Sequence, residues 1–139
     1  MKLQDYLLTL MMEKSSDIIK ISGEIKRYGC NFRHSNSGEM TLEEELHSDL
    51  VDAITVTVLL NLSGMDVAPG LVGDLLREES MYIDVSYRIN YILKNLKIRL
   101  KDLQIDKNNF EKLEDKAKEF LEEASVKFKN LEKIKIQNI

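Results

Sequence analysis

TLEEELHSDLVDAITVTVLL, from Thr41 to Leu60, is the stretch on which the fold turns, because it reads as a helix from one end and as a strand from the other. The β-branched run Ile54 to Val58 suits a buried strand. The opening half decides against that. Thr41 followed three residues later by Glu44 is a capping box, in which hydroxyl and carboxylate satisfy the free N–H groups of a helix start. Leu42, Leu46, Leu50, Ala53 and Ile54 then recur at helical spacing, and the segment is longer than a typical strand. A helix therefore runs from Leu42 to about Leu62, with Gly64 as its stop.

The rest of the chain follows the same period. Leu7, Leu10, Met11, Ile18, Ile21, Ile25 and Tyr28 predict an amphipathic helix from Leu3 to Tyr28, ended by Gly29. Cys30 to Met40 lacks periodicity and is rich in Asn, Ser and Gly, as in an exposed loop. Pro69, the only proline, suits the first turn of a short helix through Leu76 and Arg77. Ile83, Val85, Ile89, Ile92, Leu93 and Leu96 predict a fourth helix reaching Leu103. A break at Asp106 to Asn109 precedes a fifth, with Phe110, Leu113, Ala117, Phe120, Leu121, Ala124, Phe128 and Leu131 on one stripe, reaching Ile134. The expectation is an all-α helical bundle of four to five helices. It forms one domain over 1–139, with a core bundle over 1–104 and a long C-terminal helix over 107–136. There is no internal repeat.

Composition bounds the function. A chain of 139 residues buries one moderate core. Its 43% hydrophobic and 32% charged residues fit a folded domain, and no run approaches the roughly 18 apolar residues of a membrane span. The N-terminal segment has Asp5 ahead of its apolar patch and no small-residue cleavage site, so no signal peptide is expected. Cys30 stands alone, which excludes an intrachain disulfide or a cysteine-built zinc site and fits a reducing cytoplasm. The net charge of −4 makes nucleic acid an unexpected partner. Mixed charges along the last helix fit a solvated face.

Acidic residues interrupt the first two helices. Lys14 falls on the inward stripe of the first helix where an apolar residue is expected, Asp17 lies about one turn later, and Glu13 lies four residues before Asp17. On the second helix Glu45, Asp49 and Asp52 are spaced four and three apart, on one side bordering the apolar stripe. Carboxylates facing one another across two helices repel unless a cation joins them, and magnesium suits oxygen ligands. Carboxylates at such spacing are also common on solvated faces. Among the basic groups, Lys26 and Arg27 end the first helix, and Arg33 and His34 lie in the loop, where cations can meet phosphate oxygens. Arg27 equally suits a helix C-terminus, and His34 a plain loop histidine. Tyr87, Arg88, Tyr91 and Lys94 form a helical cluster that packing alone explains.

Two segments together resemble the MazG-like all-α nucleotide pyrophosphohydrolases, particularly short phage-encoded members. EKSSDIIKISGEIKRYG, Glu13 to Gly29, is similar to the helix that opens on an ExxE metal motif and closes on a basic residue, an aromatic and a glycine. TLEEELHSDLVDAITVTVLL is similar to the helix carrying ExxD and its aliphatic continuation. By position, Lys14 and Asp17 stand at the two glutamates of ExxE, and Asp49 and Asp52 at the acids of ExxD; only Asp52 keeps the residue type. The resemblance implies hydrolysis of nucleoside triphosphates to monophosphate and pyrophosphate with Mg2+. Asp17, Asp49 and Asp52 would be the catalytic metal-holding set, Glu13 and Glu45 would assist, and Lys14, Lys26, Arg27, Arg33 and His34 would meet the substrate. Lys14 for a metal-binding glutamate instead implies an inactive relative that binds a nucleotide, a nucleotide signal or a protein partner. A helical interaction protein is the third alternative. Assembly into a homo-oligomer, a dimer or tetramer, is expected on all three, as is a cytoplasmic location, in the host cell if the protein is phage-encoded.

Overall fold

The computed structural model describes residues 1–34, 40–75 and 77–128. Five helices follow one another: α1 (Leu3–Tyr28), α2 (Leu42–Leu62), α3 (Leu71–Leu75), α4 (Glu79–Arg99) and α5 (Lys107–Lys127). There are no strands among the described residues, and the chain is an all-α bundle as the spacing predicts.

The capping box forms at the start of α2. Thr41 Oγ1 accepts from Glu44 N at 3.2 Å, and the Glu44 carboxylate accepts from Thr41 N at 3.5 Å. The β-branched run is accommodated as helix because α2 is the central element, burying Val51, Thr55, Val56, Val58, Leu59 and Leu60. Where so many faces are covered, burial outweighs the small helix penalty of β-branching. Leu50, expected to face inward, is instead 44% exposed, because the buried side of α2 is centred on Val51 and Thr55.

α1 packs on α2 as an antiparallel hairpin, with Gln4 Nε2 donating to the Ser63 carbonyl at 3.1 Å near one end. α4 lies along the other flank of α2, running in the same direction as α2, so that Arg88 stands opposite Asp52. α5 closes the bundle against α2 and α4 with Phe110, Leu113, Ala117, Phe120 and Ala124. The Tyr82 and Phe120 rings stack at 4.6 Å there.

Three boundaries differ from the periodic reading. Pro69 precedes α3 in a turn closed by Leu71 N to Ala68 O, with Gly70 at φ 82°, the arrangement a type II turn asks of Pro–Gly. α3 ends at Leu75, Arg77 lies in the following turn, and Leu76 is outside the described residues. α4 begins at Glu79, earlier than its apolar stripe. It ends at Arg99 in turns closed by Gln104 at φ 55° and by Ile105 N donating to Leu100 O, a Schellman-type end. Asp106 caps α5 by accepting from Asn108 N at 3.0 Å. The expected continuation to Leu131 and Ile134 lies outside the described residues. No helix is long and apolar enough to cross a membrane among the described residues.

Candidate functional site

The antiparallel register of α1 and α2 brings Lys14 level with Asp52 and Asp17 level with Asp49. Lys14 Nζ lies 3.5 Å from Asp52 Oδ2. From the facing helix, Arg88 Nε donates to Asp52 Oδ1 at 2.7 Å, Nη2 donates to Ser48 Oγ at 3.2 Å, and Nη1 donates to the Asp84 carbonyl at 3.3 Å. All three ionised side chains are about one-quarter to one-third exposed. Asp52 is thus clamped between a cation from α1 and a cation from α4, and each of its oxygens has its own partner.

Asp49 sits beside this clamp and, among the described residues, forms no ion pair, with Lys14 acting on it only from the neighbouring Asp52 contact. Burial pushes its carboxyl above the ordinary value near 3.8, and the like charges of Asp17, Asp52 and Glu45 push it further, with Lys14 opposing them. The carboxylates predicted from spacing therefore do converge electrostatically, and Asp49 bears the cost. The acidic cluster continues outward to exposed Asp17.

Between α1 and α4, above α2, runs a groove of about 500 Å3. Glu13, Lys14, Asp52 and Arg88 form its charged end. Leu10, Val56 and Ile92 line the middle, and Tyr6, Asn95, Ile98 and Arg99 the far end, with Tyr91 on the α4 wall. From Arg88 to Arg99 is eleven residues of helix, about 16 Å. A second, more polar hollow of about 670 Å3 lies on the other side of Arg88, walled by Thr41, Glu44, Ser48 and Asp84. Arg88 is the partition between the two.

The basic residues predicted to meet a substrate separate into two groups. Lys14 is in the groove. Lys26 and Arg27 sit in the last turn of α1, about 20 Å along the helix from Lys14. Neither lines the groove, and the Arg27 guanidinium lies 5.8 Å from the Tyr28 ring. His34 turns to Glu24, 2.9 Å away, and lies edge-on to Phe32. Arg33 is exposed in the same segment. Of the aromatic and basic cluster on α4, Arg88 and Tyr91 line the groove while Tyr87 and Lys94 are exposed outside it. Tyr6, Asn95 and Arg99 were not signalled by spacing, since each borders the groove only because of how α4 is rotated against α1, and Ser48, on the other side of Arg88, was not signalled either.

Whether these residues fit a divalent ion is answered at Asp52. Both of its oxygens already carry cationic partners, and among the described residues no three His, Cys, Asp or Glu side chains stand together as metal ligands would. A Mg2+ ion does not fit this arrangement unless Lys14 leaves Asp52. Comparison of the chain with family descriptions, with curated proteins and with solved structures finds no match.

Proposed function

We propose that this chain binds a nucleotide-like phosphate ester in the α1–α2–α4 groove without hydrolysing it, on a scaffold similar to that of the MazG-like pyrophosphohydrolases. The observation that carries the reading is the double ion pair on Asp52. Two fixed cations stand where such an enzyme would use a metal, and a phosphate can meet them directly. Arg88 spends three of its five N–H groups on Asp52, Ser48 and Asp84, leaving two for an incoming oxygen, and the Lys14 ammonium also keeps donors free. The groove has the size of a small-molecule pocket, and the Tyr91 ring, 70% exposed, offers a face for a base.

The test is calorimetry of the protein with a panel of nucleoside mono- and triphosphates, with and without Mg2+, alongside product analysis. Binding that weakens about tenfold or more in Arg88→Met and Tyr91→Ala, with no monophosphate or pyrophosphate formed, is the expected result. Release of both products, abolished by Asp52→Ala, would replace it by the second reading, a Mg2+-dependent pyrophosphohydrolase. That reading is favoured by one observation, the crowding of Asp17, Asp52 and Glu45 around Asp49, which draws cations as it draws a proton. Absence of any nucleotide binding would remove both.

A further inference from the structure

We infer that the ligand of the α1–α2–α4 groove is a dinucleotide carrying phosphate at both ends; this rests on the function proposed for the groove and names its substrate class. The groove is cationic at each end rather than at one. Lys14 and Arg88 stand at the charged end, and Arg99 at the other, where it forms no ion pair among the described residues. Eleven residues is three helical turns to within about 20°, so Arg88 and Arg99 share one face of α4 and stand about 16 Å apart along it. Long helical side chains lean toward the N-terminus of their helix, which shifts both guanidinium groups the same way and keeps the span. Arg88 shows that lean directly, donating back to the Asp84 carbonyl at 3.3 Å.

That span selects the length of the ligand. A sugar–phosphate chain has six backbone bonds per nucleotide against three per residue in a peptide, whose extended repeat is about 3.3–3.6 Å, so phosphates separated by one nucleoside lie about 7 Å apart and by two about 14 Å. Two nucleosides reach from one cation set to the other, and one does not. The aromatic side chains carry the same repeat. By helix rise Tyr91 stands about 4–5 Å beyond Arg88, and Tyr6, on the opposite wall, about 12 Å beyond Lys14, because α1 runs against α4. The two tyrosines are thus staggered along the groove by about one nucleotide, one on each wall, and stacking on an aromatic ring tolerates any base. The carboxylates that line the groove, Glu13 and Asp52, both lie at the Lys14 end. The phosphate there is held by direct contact with Lys14 and Arg88, and the one at the far end meets Arg99 with no carboxylate beside it in the groove.

The experiment is calorimetry of the full chain with four thymidine ligands: the 5′-phosphate, the 3′,5′-bisphosphate, the dinucleotide phosphorylated at one end, and the dinucleotide phosphorylated at both. The last is expected to bind about tenfold more tightly than each of the others. In Arg99→Met that gain is expected to vanish, so that the two dinucleotides bind alike, while affinity for the 5′-phosphate stays within about twofold of the wild type. Arg99→Lys is expected to keep part of the gain, and Tyr6→Leu to weaken both dinucleotides but neither mononucleotide. Far-UV circular dichroism checks that each variant stays helical. Equal affinity for the bisphosphate and the doubly phosphorylated dinucleotide, a gain that survives Arg99→Met, or an equal loss for all four ligands in Arg99→Met would each overturn the proposal. The groove function is tested apart from it: 5′-phosphate binding that weakens in Arg88→Met upholds that function even where the longer ligand brings no gain, whereas absence of all binding removes both.

Discussion

Replacing Arg88 by methionine removes the shortest ion pair of the site while keeping an apolar stem against the groove wall. A hydrogen bond to an ionised group contributes about 1.5–3 kcal/mol when sheltered. With Arg88 and Asp52 each about one-quarter exposed, solvent screening lowers the expected cost to about 1–2 kcal/mol. Lys14→Met breaks a looser contact of 3.5 Å and is expected to cost about 0.2–1 kcal/mol. The two cations back each other up, since either one alone still neutralises Asp52. Removing both leaves Asp52 facing Asp49 with no cation between them, so the double variant is expected to lose about 1 kcal/mol more than the sum of the single losses. Urea denaturation of the four proteins at neutral pH measures this through the midpoints, provided the slopes agree. Strict additivity, or an Arg88→Met variant as stable as the wild type, would refute the clamp as a cooperative unit.

Four further outcomes follow from other contacts. Asp49 has a raised carboxyl, so its ionised form costs stability at neutral pH, and that cost is relieved as pH falls through its folded value and is gone below about 3.8. Asp49→Asn is therefore expected to have the higher urea midpoint at pH 7 and to lose that advantage as pH approaches 4. Tyr82→Phe deletes the buried hydroxyl that donates to the Phe120 carbonyl and is expected to cost about 1–2 kcal/mol in thermal or urea melts. Thr41→Ala removes the cap of α2 and is expected to cost about 1 kcal/mol, read by the same melts. Lys14→Glu replaces the cation on Asp52 by a carboxylate, so a Mg2+ titration by calorimetry is expected to show affinity gained over the wild type while phosphate-ester binding weakens; unchanged Mg2+ affinity would show that Lys14 is not what opposes the ion.

The helices were legible because their signals are local. Thr41 and Glu44 lie three residues apart and cap α2 whatever else the chain does, and the stripe from Leu7 to Ile25 needs only the helical period. Pro69 misled because the first turn of a helix and the second residue of a turn both suit its fixed φ. The adjacent Gly70, which supplies the positive φ that the turn requires, was the distinguishing sign. Half of the site was legible in the same way. Lys14, Asp49 and Asp52 stand out as charges beside apolar stripes, and the hairpin register then pairs them. Arg88 belongs to the site only through a contact across 36 residues of sequence, fixed by how α4 settles on α2. Nothing in the spacing of Tyr87, Arg88, Tyr91 and Lys94 says which two of them turn toward the groove.

The position of Lys14 links these observations into one electrostatic argument. On the inward face of α1 a lysine is tolerated only where a carboxylate receives it, and Asp52 is that carboxylate. The same carboxylate also receives Arg88, so the groove's charged end holds two cations against Asp52 and the exposed Glu13, and Arg99 adds a third cation at the far end. The hollow beyond Arg88 has the opposite balance, with Glu43, Glu44 and Asp84 against Arg88 alone. With Asp49, Asp17 and Glu45 crowding beside Asp52, the field at this end does not draw an anion in, and an anionic ligand would be held there only by direct contact with Lys14 and Arg88. On the proposed function its phosphate would sit beside Lys14 and the remaining N–H groups of Arg88, with the apolar middle of the groove left for the rest of the molecule. On that proposal position 14 is the side chain that decides between phosphate and metal, because Lys14 occupies the Asp52 oxygen that a metal ion would otherwise meet, which is what Lys14→Glu tests.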